Sequence, residues 1–313
     1  MRRLLLCMAL IGLLAGLSGI GPVSAAAEKK QQQVVAPPGT ASANSSDYIG
    51  SEVCATCHAA EVKKFSANPH SDLALTHGGK GATCEGCHGP GKAHVESGGD
   101  KTKIFQFTQA SPAQVSSKCL GCHAGVHPNF DRSPHAKAGL SCTTCHSNHS
   151  FQSGTQLLKA SQPKLCYTCH TDVKPAFAAP FHHRVDEGLL KCSDCHDPHG
   201  TFQPTQLRST ADQNAICTKC HSEKAGPFVY EHPVVKVEGC TACHSPHGSQ
   251  NPRLLNESNV NTLCLQCHSA TNPGVSDALS PQGPVHNQSA QFVVCTNCHT
   301  QIHGSNASSV FFK

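Results

Sequence analysis

Residues 192–200 read Cys-Ser-Asp-Cys-His-Asp-Pro-His-Gly, and they contain both elements from which most of the chain is built. The first element is Cys-x-x-Cys-His, which here ends at His196. The second is a further histidine, His199, three residues later. The first element occurs ten times in the 313-residue chain and takes up twenty of its 21 cysteines, so whatever it binds dominates the molecule. The ten copies begin at Cys54, Cys84, Cys119, Cys142, Cys166, Cys192, Cys217, Cys240, Cys264 and Cys295.

The spacing within each copy is the signature of covalent c-type haem attachment. Two thiols at this spacing reach the two vinyl groups of one porphyrin, and the adjoining imidazole reaches its iron. Zinc sites and redox dithiols also use Cys-x-x-Cys, but ten copies that all end in histidine argue against both. Thioether-bound cysteines are likewise not free to form a disulfide framework. We therefore predict ten haem c groups.

Each predicted haem is attached through two cysteines and has one proximal histidine. The attachment residues are Cys54, Cys57, Cys84, Cys87, Cys119, Cys122, Cys142, Cys145, Cys166, Cys169, Cys192, Cys195, Cys217, Cys220, Cys240, Cys243, Cys264, Cys267, Cys295 and Cys298. The proximal iron ligands are His58, His88, His123, His146, His170, His196, His221, His244, His268 and His299.

The remaining composition is too poor in apolar residues for an ordinary globular enzyme. Hydrophobic residues make up 38% of the chain and aromatic residues 5%, while charged residues, at 14%, are too few for a typical charged disordered chain. Consecutive motifs start only 23 to 35 residues apart, which leaves too little protein to enclose each haem separately. We predict a multihaem cytochrome c fold with little regular secondary structure, in which short helices and loops surround an elongated haem stack.

Local sequence signals agree with this fold class. Residues 161–166, 212–217 and 259–264 each begin with a helix-capping residue and end at the first cysteine of a motif. This pattern predicts short helices. Residues 197–200 and 245–248 contain the Pro-His-Gly sequence and predict turns. No alternating strand pattern persists.

The first 25 residues have the pattern of a secretory signal peptide. Arg2 and Arg3 precede an apolar run at 4–20, and small residues follow at 23–27. The alternative is a membrane anchor, but glycines interrupt the run, and it is short for a span of about 20 apolar residues. We predict that the signal is removed after Ala25.

The predicted mature chain consists of a flexible leader at 26–50 and a decahaem electron-transfer domain at 51–313. The signal carries two arginines and no acidic residue, so its loss lowers the formal charge from +4 to +2, which gives no basis for nucleic-acid binding. Both methionines, Met1 and Met8, leave with the signal. Histidine–methionine ligation, which raises cytochrome c potentials, is therefore excluded.

The other thirteen histidines follow a period of two motifs. Each even-numbered motif has one histidine upstream and another shortly downstream, whereas only His127 closely follows an odd-numbered motif. Five two-haem repeats thus supply ten further histidines for ten irons, which predicts bis-histidine ligation throughout. Upstream of the second motif either His70 or His77 fits. The other nine distal candidates are His94, His135, His149, His183, His199, His232, His247, His286 and His303.

Three histidines are left over once His70 is chosen, namely His77, His127 and His182. We expect them at the surface or against haem propionates.

A histidine three residues after a proximal ligand is held on the proximal side of its own porphyrin. It cannot reach the opposite face, so it must bind the iron of a neighbouring haem. Ligation therefore ties haems together, and cofactor binding supplies much of the folding energy. We expect little structure in the apoprotein.

Four longer strings are specific beyond the haem motif. They are Cys84-Glu-Gly-Cys-His-Gly-Pro with His94, Cys192-Ser-Asp-Cys-His-Asp-Pro-His-Gly, Glu231-His232 ahead of Cys240-Thr-Ala-Cys-His-Ser-Pro-His-Gly-Ser, and Cys295-Thr-Asn-Cys-His-Thr-Gln-Ile-His-Gly-Ser-Asn. In these strings the chain resembles the periplasmic decahaem cytochromes of the MtrA/DmsE/PioA type, over about Ser51 to His303. The resemblance favours His70 over His77, supports His135 and His183, and matches His286 less clearly.

In that family the cytochrome lies inside an outer-membrane β-barrel and carries electrons between the periplasm and the cell surface. The resemblance implies three kinds of partner: a barrel porin sheath, a surface multihaem cytochrome or extracellular oxidant or reductant, and periplasmic or inner-membrane cytochromes. An irregular backbone could not satisfy its polar groups in lipid, so a chain of this kind needs such an enclosure. The same wire serves metal reduction or Fe(II) oxidation, so the sequence leaves the direction of flow open.

Two other functions compete with the conduit. A multihaem reductase, for example of nitrite or sulfite, needs one iron with an open position, often marked by a CxxCK motif, but all ten motifs here end in histidine. A freely diffusing periplasmic shuttle shares the chemistry and differs only in its partners. We predict an electron-transfer protein rather than an enzyme, located in the periplasm and associated with the outer membrane through a barrel.

Overall fold

The computed structural model describes residues 45–71, 83–152, 156–209, 212–268 and 294–312. All ten motifs fall within these ranges. The predicted signal peptide, most of the predicted leader, His77 and His286 lie outside them.

Short helices joined by loops make up nearly all of the regular structure in the described residues, which confirms the predicted fold class. The α-helices are Ser51–Ala55, Ala59–Phe65, Cys84–His88, Lys92–Glu96, Pro112–His123, Pro134–Lys137, Cys142–Cys145, Lys164–Tyr167, Lys174–Phe177, Cys192–Cys195, Ala215–Thr218, Pro233–Val237 and Val260–Leu265. The 3-10 helices are Ser45–Asp47, Lys101–Lys103, Phe130–Arg132, Pro204–Gln206, Ser222–Lys224, Cys240–Ala242, Pro252–Leu254 and Cys295–Asn297.

The helix Pro112–His123 shows why the chain becomes helical ahead of a motif. The hydroxyl of its N-cap, Ser111, accepts a hydrogen bond from the N–H of Gln114, and the Gln114 side-chain oxygen accepts one from the N–H of Ser111. This capping box satisfies two N–H groups that would otherwise lack partners. Proline at the first helical position already has a suitable φ. The helix then runs through Cys119 and ends at the motif histidine.

The motifs occur in two structural forms that alternate along the chain. In the odd-numbered motifs a helix that starts upstream carries the first cysteine, as in Lys164–Tyr167, Ala215–Thr218 and Val260–Leu265. These three confirm the predicted short helices. In the even-numbered motifs the first cysteine itself begins the helix, as in Cys142–Cys145 and Cys192–Cys195, because the preceding residue is extended.

Both forms wind the motif into one helical turn. The N–H of the motif histidine donates to the carbonyl of the first cysteine, at 2.9 Å for His146 and His170 and 3.1 Å for His244. Residues separated by three and four positions share one face of such a turn. Two thiols and one imidazole are therefore presented together.

A return loop follows each of the fourth, sixth, eighth and tenth motifs. The carbonyls of Leu157, Gln206, Leu254 and Phe311 accept hydrogen bonds, at 2.7–2.9 Å, from backbone N–H groups one or two residues after the motif histidine. These four residues have φ between 53° and 61°. A left-handed backbone of this kind costs a side-chain-bearing residue about 1–3 kcal/mol. All four return loops therefore carry the same local strain.

Two short backbone pairings connect successive repeats. The strands Tyr230–Glu231 and Gly304–Ser305 are antiparallel, with Tyr230 opposite Ser305. An isolated bridge between Phe181 and Ser249 forms the equivalent contact one repeat earlier. In both cases a segment upstream of an even motif pairs with the Pro-His-Gly or Ile-His-Gly loop of the next even motif.

The apolar core of the described residues is small, as the composition predicts. Its buried hydrophobic members are Val115, Phe130, Leu157, Phe177, Ala179 and Val185. Within the ranges that the structure covers, no helix has the length and apolar character needed to cross a bilayer.

Candidate haem sites

The first cysteines of consecutive motifs meet in pairs. Hydrogen bonds join the thiols of Cys119 and Cys142, and of Cys166 and Cys192. The bond from Cys119 lowers the pKa of Cys142 to about 6, since it stabilises the thiolate. The same contact from Cys166 lowers the pKa of Cys192 to about 7. An odd motif and the even motif after it thus form one unit.

The second cysteines connect these units to each other. Burial raises the pKa of Cys87, and the nearby thiol of Cys122 raises it further. Burial likewise raises the pKa of Cys195, with smaller contributions from Asp194 and from Cys220 in the next motif. First-cysteine and second-cysteine contacts therefore alternate along the chain, and they bring consecutive motifs together across both kinds of junction.

The motif histidines face other histidines across a constant gap. In nine of the ten motifs the ring centroid lies 5.9–6.4 Å from the ring centroid of a predicted distal ligand. The nine pairs are His58–His94, His88–His149, His123–His70, His146–His199, His170–His135, His196–His247, His221–His183, His244–His303 and His268–His232. His286, the one predicted distal ligand that is not in these pairs, lies outside the described residues.

This gap fits two imidazoles that bind one metal from opposite sides. Metal–imidazole nitrogen bonds are about 2 Å long, and two such bonds plus half of each ring give a centroid separation of about 6 Å. The residues present therefore fit haem iron with two histidine ligands.

The pairs cross the boundaries between repeats in a regular way. The histidine downstream of an even motif faces the histidine of the preceding even motif, as His199 faces His146. The histidine upstream of an even motif faces the next odd motif, as His135 faces His170. The first repeat differs, because His94 has no earlier even motif to face and instead lies opposite His58.

Every histidine of an even motif is oriented by a backbone carbonyl. The Nδ1 atoms of His146, His196 and His244 lie 2.6–2.8 Å from the carbonyl oxygens of Gln156, Thr205 and Arg253. His88 and His299 make the same contact with Phe105 and Val310. A carbonyl can only accept, so Nδ1 carries the proton and Nε2 keeps its lone pair for a metal. Four of these carbonyls belong to the return loops, each one residue before the left-handed Leu157, Gln206, Leu254 or Phe311.

The upstream distal histidines are oriented by the following repeat. Nδ1 of His135 donates to the carbonyl of Pro198 at 2.9 Å, and Nδ1 of His232 donates to that of Ile302 at 2.9 Å. Nδ1 of His183 makes the equivalent bond to Pro246. Each acceptor immediately precedes the next distal histidine, which is His199, His303 or His247.

In the first repeat the upstream distal histidine, His70, is connected to the segment before His149 through a side chain rather than by a direct hydrogen bond. Nδ1 of His70 lies 3.0 Å from Oδ1 of Asn68, and Nδ2 of Asn68 donates to the carbonyl of Asn148 at 2.9 Å. Asn68 is almost completely buried. The link to the segment before His149 is thus kept through one amide.

The odd-numbered motif histidines are less enclosed than the even-numbered ones. His58, His123, His170, His221 and His268 are exposed, whereas all five even-motif histidines are half-buried. Across the described ranges, the exposed five show no Nδ1 hydrogen bond to a carbonyl.

Two of the distal histidines that face even-numbered motifs, His199 and His303, favour their neutral form. Burial lowers the pKa of His199 to about 4, and the neighbouring His127 imidazole lowers it further. Burial also lowers the pKa of His303 to about 4, with a smaller contribution from Lys224. A neutral imidazole is the form that binds a metal.

The chain is similar to known multihaem cytochromes. The multihaem cytochrome MtrA of Shewanella baltica is 32% identical to the chain over 269 residues, which cover 83% of the chain and 80% of MtrA. The chain belongs to the MtrA family of multihaem cytochromes. As an MtrA-family protein it binds haem c through its Cys-x-x-Cys-His motifs and transfers electrons, and it is not an enzyme.

More distant relatives share the motifs over part of their length. The C-type polyheme cytochromes OmcC and OmcB of Geobacter sulfurreducens are 28% and 24% identical over 212 and 209 residues. These cover 56% and 54% of the chain, but only 26% and 27% of the two relatives. A family model described as a doubled CXXCH motif matches residues 133–175, 182–226 and 232–273. Each match contains an even motif and the odd motif after it, which confirms a repeat of two motifs. The matched repeats begin one motif later than the units in which first cysteines meet.

The structure also shows residues that the sequence analysis missed. Phenylalanine occurs seven positions after the histidine of the first, third, fifth and seventh motifs, at Phe65, Phe130, Phe177 and Phe228. Phe65 and Phe177 pack against distal imidazoles, with centroids 6.2 Å from His149 and 5.3 Å from His247. The constant spacing of seven residues is the sequence signal that could have revealed these phenylalanines.

Glycine after a distal histidine has a related role. A Cβ atom built on Gly304, whose φ is +151°, would lie 2.1 Å from the Phe228 ring. One built on Gly200, with φ +107°, would lie 2.7 Å from the carbonyl oxygen of Asn129. The distal loops therefore pack closely against segments that follow odd motifs.

The leftover histidines have different surroundings. Nε2 of His182 lies 2.9 Å from the Glu187 carboxylate, and Nδ1 contacts the carbonyl of Ala179 at 2.6 Å. Both nitrogens of His182 are thus engaged by oxygens. His127 is half-buried against the His199 ring, and its expected contact with a propionate stays a prediction. His77 lies outside the described residues.

Proposed function

We propose that the protein is a decahaem conduit that carries electrons between periplasmic carriers and the cell surface. In this proposal all ten motifs hold haem c and every iron has two histidine ligands. The observation that carries it is the set of nine facing histidine pairs, each with the spacing of two ligands on one metal. In this proposal the remaining distal candidate, His286, is the second ligand of the tenth iron.

Haem iron between two imidazoles accepts and releases single electrons and has no vacant ligand position. The chain's own residues supply what such a carrier needs. The chain places the attachment cysteines of consecutive motifs next to each other, and the Nδ1 hydrogen bonds fix which ring nitrogen faces the metal. A reductase would need one motif histidine without a facing partner, whereas nine already face one.

The proposed location follows from the predicted signal peptide at 1–25 and from the family. An exported chain with irregular backbone can bridge an outer membrane only inside another protein. We therefore include an outer-membrane β-barrel sheath among its partners. A surface multihaem cytochrome or extracellular oxidant or reductant would exchange electrons at one end, and periplasmic or inner-membrane cytochromes at the other.

Two measurements test the proposed cofactors. Intact-protein mass spectrometry of the mature chain should show ten haem additions, and EPR of the oxidised protein should show low-spin iron throughout. A smaller number of haems would contradict the first claim. A substantial high-spin ferric signal would contradict the second and support the reductase.

Reconstitution tests the route. Liposomes that enclose a reducible dye receive the cytochrome, a candidate barrel, or both, with the electron donor outside. The two together should reduce the dye, and either alone should not. If the cytochrome extracts completely with soluble periplasmic proteins and never co-purifies with a barrel, it is a freely diffusing shuttle.

A further inference from the structure

The ring of His127 packs against that of His199. His199 is the proposed distal ligand of the fourth site, meaning the haem site of the fourth motif. Its ring centroid is 3.9 Å from that of His199, which is the shortest ring separation in the described part of the chain. His199 in turn faces His146 at 6.0 Å. The His127 ring also lies 6.2 Å from that of His123, the motif histidine of its own helical turn. Among the described facing pairs, His146–His199 is the one whose distal histidine is in ring contact with a further imidazole.

The backbone holds His127 in this position. Its N–H donates to the carbonyl of His123 at 2.9 Å, so it continues the helical turn of the third motif. The following residues pack tightly on the distal loop, because a Cβ on Gly200 would lie 2.7 Å from the carbonyl oxygen of Asn129. His127 and His199 are thus carried by two segments that cannot separate easily.

Imidazole binds haem iron through an unprotonated ring nitrogen. The His127 ring lies 3.9 Å from the ring of His199, so it places a second imidazole beside the distal ligand of the fourth motif's haem.

Equivalent sites have a side chain that cannot bind iron. His149 packs against Phe65 at 6.2 Å, and His247 packs against Phe177 at 5.3 Å. The sixth site is therefore a natural control for the fourth, since its distal histidine contacts an aromatic ring of similar shape without a ligating atom.

We propose that His127 is a reserve axial ligand of the fourth haem, which is attached at Cys142 and Cys145. It rests on the proposed bis-histidine ligation. Where His199 is lost, His127 would hold the iron through a ring nitrogen in its place. One imidazole–iron bond would replace another, so the exchange would need no oxidant or reductant.

Three variants test this proposal: His199→Ala, His127→Ala with His199→Ala, and His247→Ala. Each is checked by mass spectrometry for ten haems, by EPR for high-spin ferric iron, and by carbon monoxide binding to the reduced protein. We expect His247→Ala to gain one high-spin haem that binds carbon monoxide. His199→Ala should keep all haems low-spin, and the double variant should gain one high-spin haem.

The outcomes separate this proposal from the proposed function. If His247→Ala gains no high-spin haem, the bis-histidine assignment is wrong. If it does gain one and His199→Ala behaves in the same way, the reserve ligand is refuted. A double variant that stays low-spin refutes it as well.

Poor maturation is covered by a second substitution, His199→Gln, which keeps more of the side-chain volume. It should also remain low-spin while His127 is present. If both His199 variants lose a haem while His247→Ala retains all ten, His127 does not hold the iron and the proposal fails.

Discussion

Even-numbered and odd-numbered motifs attach the same cofactor but differ in which histidine of the facing pair is oriented by a hydrogen bond. It is the motif histidine in the even class and the facing histidine in the odd class. In the sixth site the motif histidine, His196, is half-buried and donates through Nδ1 to the carbonyl of Thr205. In the fifth site the motif histidine, His170, is exposed, and it is the facing His135 whose Nδ1 donates to a carbonyl, that of Pro198.

The alternation shows that one oriented imidazole in each pair is enough to define a site. All nine described pairs contain one imidazole whose Nδ1 is bound by an oxygen of a carbonyl or, for His70, of the Asn68 amide. A fixed ring sets the tautomer and the direction of the metal bond. The second ring then adapts to it, which allows one side of each site to be supplied by a distant part of the chain.

Haem removal should have the largest effect and should act on both classes equally. Expression without the haem-attachment machinery should give a chain with no cooperative unfolding transition, because each site draws its ligands from different repeats. Circular dichroism and hydrogen exchange measure this, with the haem-loaded chain as the control. Protected amides confined to the even-motif return loops would show instead that these loops fold alone.

Phe177→Ala should have the next largest effect. It removes the aromatic ring, seven residues after the fifth motif, that packs against the distal histidine of the sixth motif. Phe177 is only 7% exposed and packs on His247. Loss of a buried phenylalanine typically costs 3–5 kcal/mol, so we expect a decrease of about 3 kcal/mol in the free energy of unfolding. Denaturant titration measures it. Phe202→Ala, at a site 80% exposed, should change stability little, and equal effects of the two would refute the packing role.

Glu85→Ala should break the link between the first odd motif and its even partner. The buried Glu85 carboxylate accepts hydrogen bonds from the N–H groups of Ile49, Gly50 and Gly91 at 2.8–3.0 Å. Loss of hydrogen bonds to a charged group costs about 1.5–3 kcal/mol, and we expect a decrease of about 2 kcal/mol.

Hydrogen exchange at Ile49 and Gly50 localises the effect of Glu85→Ala. The exposed Glu52 provides the control, since Glu52→Ala should leave both amides protected. Unchanged exchange in Glu85→Ala would show that the first motif is held in another way.

Thr205→Gly should have the smallest effect and should increase stability. Thr205 is exposed, has φ 53°, and orients His196 through its carbonyl, which glycine retains. Relief of the left-handed strain should raise the free energy of unfolding by about 1 kcal/mol. The matched variant Thr241→Gly, in a 3-10 helix, should lower it. A loss of stability in Thr205→Gly would mean that the threonine side chain is itself required.

The sequence predicts the members of these sites better than their arrangement. The spacing of His149 behind His146 correctly indicates that it serves another site, but not that this site is the second motif, where it faces His88. Spacing limits how far a side chain can reach, whereas the choice among neighbours depends on the path of the chain between motifs.

The orienting hydrogen bonds could not be predicted at all. Their acceptors are backbone carbonyls, such as those of Thr205 and Pro198, and every residue has one. The left-handed positions are also hidden, because Leu157 and Leu254 occupy them in place of the glycine or asparagine that would mark them.

The hydrogen bond from His135 to Pro198 spans 63 residues, and so does the bond from His183 to Pro246. Each repeat therefore supplies the carbonyl that orients a distal histidine of the repeat before it. A repeat inserted in the middle would find the same ligands offered on both sides, whereas one added at the first end would meet His94, which already turns back to His58. The number of haems in such an array can therefore change by whole pairs in its interior while its first end stays as it is.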